Sequence, residues 1–535
     1  MKNGQIQKLA LYLALLLLGS SNHLLAQQDS SKNIFNSNNS IYTNPTQLLY
    51  EPIDSIKNKQ ALKIQATPVY LLWTNSNKIP VGINNSALIP NVGNQFLASA
   101  GIQMNWKNKW VAQIAPQFQY AQNKAFPTYP TNSVEWEWYY YYLNHADLPE
   151  RMGNQPLQKL YPGQSFLKYQ TKNWTAGIST ENKWWGPAVF NPLVLSNNAP
   201  GFLHFTMSTR KPIETKIGSF QGEIIGGWLE SSGYLPPETN RLSTLYARYL
   251  YEPKKEATRY ITGLTYSYQP KWAPGLYVGL TKLSIMYQNE ISNILDVLPM
   301  EGFFGNKLTP METSGRKNSM GSWFARYIMP KEKAEIYYEY GRTGESMHIV
   351  NIFQRSPYER GFTAGLKKQY DLKNNRGEIL VGLEITTLSL PEADMVNSQP
   401  KSWYLGQYVR QGFTNQGKVL GAGIGPGSNS QTVYVQWMKK SNWFGLSFNR
   451  TIHNQDFYNS THYYLTDHFN QYWVSVATTA YFNVVYKKIA LSGEYTVLRD
   501  LNRNWEWVRY TDIGFNNIGK DLLNNSGKLM IRYRL

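Results

Sequence analysis

The feature that most constrains this chain is a period-two alternation of apolar and polar residues, sustained over segments long enough to cross a bilayer. In WVAQIAPQFQY, Trp110, Ala112, Ile114, Pro116, Phe118 and Tyr120 fall on one face, and Gln113, Gln117 and Gln119 on the other. A tilted strand of ~9–11 residues spans the hydrocarbon core, with apolar side chains outward and polar ones inward. SVEWEWYYYYL repeats the pattern, with Val134, Trp136, Trp138, Tyr140 and Tyr142 opposite Glu135, Glu137, Tyr139 and Tyr141. So do Leu491 to Val497, TVYVQW (Thr432 to Trp437) and FGLSFNR (Phe444 to Arg450). The chain ends on GKLMIRYRL, where Leu529, Ile531, Tyr533 and Leu535 oppose Met530, Arg532 and Arg534. An amphipathic last strand that pairs with the first leaves no open edge in lipid. The pattern predicts an all-β, antiparallel transmembrane barrel.

Composition agrees. The 535 residues would allow two to four soluble domains, yet 14% are aromatic and only 16% charged. A mean hydropathy of −0.46 argues against a helical membrane protein. Half-polar strands with interfacial Trp and Tyr account for both numbers. The N-terminus predicts export: Lys2 and Lys8 precede the apolar core Leu9 to Gly19, and Ala26 precedes the expected cut. Residues 1–26 are therefore expected as a signal peptide, 27–60 as a periplasmic lead-in and 61–535 as the barrel. There is no cysteine, which excludes a lipidated Cys anchor and a disulfide framework.

The formal charge is +18; losing Lys2 and Lys8 with the signal leaves +16. A basic exported chain favours acidic polysaccharide and lipopolysaccharide phosphates over nucleic acid. One segment leaves the strand rhythm. Ile291, Ile294, Leu295 and Leu298 stand at helical spacing within 287–304, predicting a short amphipathic insertion inside or under the barrel.

Four motifs resemble the Wzi family of outer-membrane capsule-assembly proteins: WWGPAVFNPLVLSNNAPGF (Trp184 to Phe202), DLPERMGNQPLQKLYPGQS (Asp147 to Ser165), KAEIYYEYGR (Lys333 to Arg342) and VRQGFTNQGKVLGAGIGPGSNS (Val409 to Ser430). The resemblance implies 18 strands, a helical element on the periplasmic side, and a lectin-like role in surface assembly of capsule or exopolysaccharide. Export machinery is a further expected partner. Trp184 and Trp185 are expected on opposite faces of a strand. Gly186-Pro187 would then end pairing, and Asn197 and Asn198 would help turn a loop into the pore. The candidate glycan contacts are Trp184, Trp185, Asn197, Asn198, Arg326, Arg342, Arg410 and Arg450, the arginines being expected to line the lumen.

Other constellations point away from catalysis. GAGIGPG (Gly421 to Gly427) lacks the GK[ST] ending and the following helix of a phosphate loop. Glu135 and Glu137 share a strand face but point in parallel rather than flanking a bond. His145 and Asp147 have no assignable Ser partner, and no GxSxG occurs. No cofactor or metal is expected. The rival functions are a passive outer-membrane porin and, further off, a barrel-type envelope hydrolase.

Overall fold

In the computed structural model, residues 62–129, 142–236, 238–242, 248–299, 316–343, 360–390, 402–462, 472–509 and 518–534 are described. The expected signal peptide and lead-in lie outside them. So do Glu135, Glu137 and most of the SVEWEWYYYYL segment, whose described residues, Tyr142 and Leu143, form a helical turn with Asn144.

The strands pair in one unbroken antiparallel circuit. Four of them are creased: β1 (Leu62–Ala66 and Val69–Ser76), β2 (Gly93–Ser99 and Ile102–Trp106), β3 (Trp110–Ile114 and Gln117–Ala121) and β4 (Leu157–Tyr161 and Phe166–Gln170). There follow β5 (Trp174–Ser179), β6 (His204–Thr209, extended by Ile213–Glu214), β7 (Gly218–Leu229), β8 (Arg259–Pro270) and β9 (Leu276–Tyr287). Next come β10 (Lys317–Met329), β11 (Ala334–Thr343), β12 (Arg360–Asp371), β13 (Glu378–Thr387) and β14 (Asn429–Lys439). The last four are β15 (Asn442–Ile452), β16 (Val474–Tyr486), β17 (Ile489–Leu501) and β18 (Leu522–Tyr533). Each pairs with its sequence neighbours, and β18 pairs with both β17 and β1, in the register Val69↔Tyr533 to Ser76↔Ser526. The ring is closed, with the 18 strands that the resemblance implies.

Proline and glycine crease the first four strands at one level: Pro68, Gly101, Pro116 and Gly163 all sit at the breaks. A Cβ on Gly101 would lie 2.1 Å from the Ile114 carbonyl oxygen, so the backbones approach closely there. Proline removes a ladder donor at the same height. Alternation survives the crease. Ile114 and Phe118 are exposed on the outer wall, whereas Gln113, Gln117 and Gln119 are buried inside. Gln119 Nε2 donates to Gln95 Oε1 at 2.6 Å, and Gln117 Nε2 to the Tyr70 hydroxyl at 2.5 Å.

The later strands behave likewise. Val433, Val435, Phe444, Leu446, Phe448, Tyr495, Val497, Leu529 and Ile531 face outward, while Tyr434, Gln436, Ser447, Ser492 and Met530 are buried inward. Two-residue turns at Lys440-Ser441 and Lys487-Lys488 place their first lysines at positive φ, the mirror-type hairpin geometry that suits strand twist. These short turns share a rim with Leu62 and Tyr533, the outer ends of β1 and β18. The long connections share the opposite rim, which is therefore extracellular.

Segment 287–304 departs from expectation. Tyr287 ends β9, and two 3-10 turns follow, Gln288–Glu290 and Ile294–Val297, in place of a continuous helix. The Asp296 carboxylate breaks it: it accepts from the Ser292 and Asn293 amides at 2.9 and 3.2 Å and pairs with Lys317 at 3.0 Å. Its described part, residues 287–299, packs on the outer wall rather than inside, because the Val297 carbonyl accepts from outward-facing Thr262 at 3.0 Å; residues 300–304 lie outside the described residues. The α-helix that is described, α1 (Gln455–His462), belongs to the long β15–β16 connection on the extracellular rim, not the periplasmic one.

Because Leu446 lies near mid-membrane on the outward face, Leu446→Arg should destabilise the barrel by ~2–4 kcal/mol. Ser447→Arg, pointing inward, should cost much less. Denaturant unfolding in lipid vesicles checks this; a larger loss for Ser447→Arg would show the faces to be reversed.

Candidate functional site

Three long connections turn back into the barrel: residues 77–92, 180–203 and 402–428. Their backbones join them together. Ser86 donates to Asn197 at 2.7 Å, Ser196 to Leu420 at 2.8 Å, and Trp185 to Leu195 at 3.1 Å. The Tyr404 hydroxyl donates to the Leu193 carbonyl at 2.8 Å and accepts from the Ala422 amide at 2.7 Å. Leu193, Val194, Leu195, Trp403, Phe413 and Leu420 form the apolar centre and pack on the inner wall at Ile225, Ile261, Leu283, Ile285 and Met320. Every one of those wall residues lies in the extracellular half of its strand. Trp403 lies flat on the sheet because Gly341 and Gly361 leave room; a Cβ on either would sit within 2.7 Å of its ring.

Carboxylates on the wall hold the plug by its backbone. Glu384 on β13 accepts from the amides of Val189 (2.6 Å), Phe190 (3.1 Å) and Asn191 (2.8 Å), and from the Tyr337 hydroxyl at 2.7 Å. Pro187 and Pro192 bracket these amides, so no helix or ladder competes for them. Glu339 on β11 accepts from Ser322 Oγ at 2.5 Å and from the Leu193 amide at 3.4 Å. Gly186, at φ +104°, permits this approach, since a Cβ would lie 2.7 Å from Glu339 Oε2. Glu223 on β7 takes Lys183 Nζ at 2.6 Å, the Trp185 indole at 2.9 Å and Thr206 Oγ1 at 2.7 Å. On the opposite side of the plug, Lys418 Nζ donates to the Ser86 and Leu88 carbonyls at 2.9 and 2.8 Å. Burial without a carboxylate partner pulls its pKa down to about 7.

The expected site residues separate into three groups. Trp185, Asn197 and Asn198 belong to the plug and are buried. Asn198 Nδ2 donates to Val419 at 3.0 Å, and its Oδ1 accepts from the Asn84 amide at 3.2 Å. Trp184 is half-buried, its indole donating to the Ala188 carbonyl at 3.1 Å. The two tryptophans are not on a barrel strand, because β5 ends at Ser179.

The arginines divide. Arg326 faces the lumen in its periplasmic half, in a bidentate pair with Glu335 at 2.9 and 3.0 Å that Lys367 joins at 3.1 Å. Arg342 and Arg450 do not line the lumen: they share the outward faces of Tyr338 and Phe448. Strand parity decides this, since each stands an even number of residues from an exposed aromatic. Arg410 is on the extracellular rim, 3.3 Å from Glu252.

His145 and Asp147 go to separate partners, the Gly406 carbonyl and Ser232. Burial, with Arg410 and Lys254 nearby, lowers the imidazole to about 4. GAGIGPG leads into β14 rather than a helix. Glu223, Glu339, Glu384, Lys418, Trp403 and Tyr404 carry the plug but escaped the sequence reading. The signal available for the acids was an inward glutamate among neutral same-face neighbours such as Gly382 and Thr386, although β11 carries a second, Glu335.

Glu384→Ala leaves three buried amides without an acceptor, each costing ~1–3 kcal/mol. The 180–203 segment should then become cleavable by added protease while the ring, scored by heat-modifiable gel mobility, persists. Lys418 binds fewer protons in the docked plug than when released. Its contribution is therefore complete only at high pH, shrinks as pH falls through the interval from ordinary lysine values to about 7, and is absent below. Protease resistance of the plug should rise with pH across that interval, and Lys418→Met should flatten the profile.

A family model for capsule assembly protein Wzi matches residues 80–502. No curated protein matches the chain. Among solved structures, it is similar to Wzi of Escherichia coli, described as an outer membrane protein involved in group 1 capsule assembly and a carbohydrate-binding β-barrel. That likeness has a TM-score of 0.54 and 11% identity, covering 87% of this chain and 85% of that one. OccAB2 of Acinetobacter baumannii is more distant, with a TM-score of 0.39 and 11% identity over 88% of this chain and 98% of its own. OccK8 of Pseudomonas aeruginosa gives 0.41 and 8% over 89% and 98%. The closed 18-stranded ring and its family match make this chain a member of the capsule assembly protein Wzi family, resident in the outer membrane.

Proposed function

We propose that the chain binds an acidic extracellular polysaccharide at the cell surface and helps retain or assemble it there, without cofactor or bond chemistry. The E. coli relative is described as binding carbohydrate. The observation that carries the reading here is an aromatic and basic patch on the extracellular rim. Tyr249 and Tyr408 are exposed, at 56% and 40%. Arg248 and Arg410 converge on the carboxylate of Glu252, at 3.8 and 3.3 Å. The exposed Arg248–Glu252 pair is worth ~0–1 kcal/mol, so an incoming uronate or pyruvate carboxylate can compete with Glu252 for Arg248. Arg410 is held by the Asn144 and Glu252 carbonyls at 3.2 and 2.5 Å and offers its remaining terminal nitrogen. The tyrosine faces suit the apolar side of a pyranose. Each contact is weak, and a polymer engages many at once.

The packed plug supports this over a passive channel, because it fills the extracellular half of the lumen along β7–β11. Arg410 is the sequence candidate that this reading retains as a direct contact. Trp184, Trp185, Asn197 and Asn198 shape the plug beneath the patch, and Arg326 ties β10 to β11. Arg342 and Arg450, on the outer wall, suit lipopolysaccharide phosphates rather than a glycan in the lumen.

Arg410→Glu combined with Tyr249→Ala and Tyr408→Ala should cut cell-bound polysaccharide severalfold and raise the shed fraction, measured by glycan staining of cells and medium. Unchanged partition would refute the assignment. Burial and the adjacent Arg410 draw Lys254 down to about 8, so its charge is present below that pH and lost above it. Binding of purified acidic glycan should accordingly weaken between pH 7 and 9, and less so in Lys254→Arg.

A further inference from the structure

The outer wall of a barrel is convex, so a hollow among lipid-facing side chains needs a cause. One such hollow, of about 900 Å3, spans β13 to β18 and crosses the closure seam onto β1. That volume lies within the ~300–1,000 Å3 of sites that hold small ligands. Its floor is Gly527 together with the Phe482 ring, which covers Gly493 (a Cβ there would lie 2.5 Å from it). Gly493 and Gly527 stand on outward positions, between Leu491 and Tyr495 and between Asn525 and Leu529. Trp73, Phe444 and Tyr495 wall it.

Gly527 is not demanded by its backbone. A Cβ there would meet nothing nearer than Trp73 at 3.8 Å, so the missing side chain is open space rather than relief of a clash. A glycine in mid-strand weakens the sheet and packs nothing. At the extracellular end the hollow turns polar: Asn75, Asn77 and Asn525 line it. Asn94 Oδ1 accepts from both the Trp73 indole (3.1 Å) and Asn75 Nδ2 (2.9 Å), fixing one wall and one amide together. Above these amides lie exposed Lys78 and Arg499, the latter outward on β17 with its side chain 67% exposed and 3.3 Å from Asp521.

We propose that this groove binds one anionic outer-leaflet lipid, an acyl chain lying over Gly527 and the Phe482 ring, and a phosphorylated saccharide head at Asn75, Asn525, Lys78 and Arg499. Bulk lipid is as apolar as the groove, so a chain alone gains little by entering; shape and head contacts must supply the preference. Charge complementarity at the upper edge selects an anionic head over a zwitterionic one.

The test uses the full-length detergent-purified protein, titrated with bis-phosphorylated lipid A or with phosphatidylethanolamine and read by native mass spectrometry. Gly527→Trp fills the hollow and should lower lipid A occupancy at least tenfold. Gly527→Leu should lower it less, with the heat-modifiable folded band intact in both. Arg499→Glu with Lys78→Glu should lower lipid A occupancy without reducing phosphatidylethanolamine occupancy. Undiminished lipid A binding to Gly527→Trp overturns the site. So does a disulfide-linked dimer formed by Tyr495→Cys in intact membranes, which would assign the groove to a second copy. Surface glycan retention by Gly527→Trp stays normal in either case, keeping this outcome separate from that of the extracellular patch.

Discussion

Everything in this fold follows from the absence of water in the bilayer core. A backbone amide left unpaired there costs several kcal/mol, and a sheet with edges has a whole row of them. The pairing of β18 with β1 removes the last such row. Once the ring is closed, side chains have only two destinations. Alternation then dictates that Leu446 meets lipid while Ser447 meets the lumen. An even number of strands returns the chain to the rim it entered by, and the short turns on that rim mark it as the periplasmic one. With sidedness settled, the extracellular patch and the plug beneath it acquire their functional meaning.

The plug solves a problem that the ring creates. A lumen enclosed by 18 strands is too wide for wall side chains alone to fill. Three connections fill much of it with a core of their own, and this core needs attachment to the wall. Apolar contact supplies part, but Leu193 or Trp403 could slide along a smooth apolar surface. Directional bonds from Glu384 to three successive amides cannot slide. Buried polar and ionic groups are often a poor source of net stability, and their better-attested use is to fix one arrangement among several. Glu384, Glu339 and Glu223 fit that use: each names one segment of the plug and one strand of the wall.

The sequence displayed the wall far more openly than its contents. Alternation is a local property, so Trp110 to Tyr120 and Leu529 to Tyr533 announced their faces without help from any neighbour. The crease at Pro116 left that parity undisturbed, so it was invisible in the pattern. Arg342 and Arg450 illustrate the opposite failure. Their parity was legible from Tyr338 and Phe448, yet arginine's charge argued for the lumen; long side chains at the top of a strand can reach headgroups instead. The helix expected over 287–304 failed for a third reason. Helical spacing of Ile291, Ile294 and Leu298 competed with Asp296, whose carboxylate captures the amides of Ser292 and Asn293.

The plug motif was recognisable as a whole while its working parts were not. Two tryptophans in sequence suggested a strand with opposite faces, but a partner 38 residues away, Glu223, draws Trp185 into the lumen. No local rule contains that information. What the motif's chemistry did contain was a requirement: prolines at 187 and 192 leave amides outside any helix or ladder, and buried amides must find an acceptor. The inward glutamate at 384 is then the other half of one device, split between two stretches of chain nearly two hundred residues apart. Reading such a device requires matching an unsatisfied donor set in one segment with an inward acid in another. The same matching favours a glycan patch outside the plug, since the plug's donors and acceptors are committed to one another whereas Arg248 on the rim is paired by an exposed, exchangeable charge.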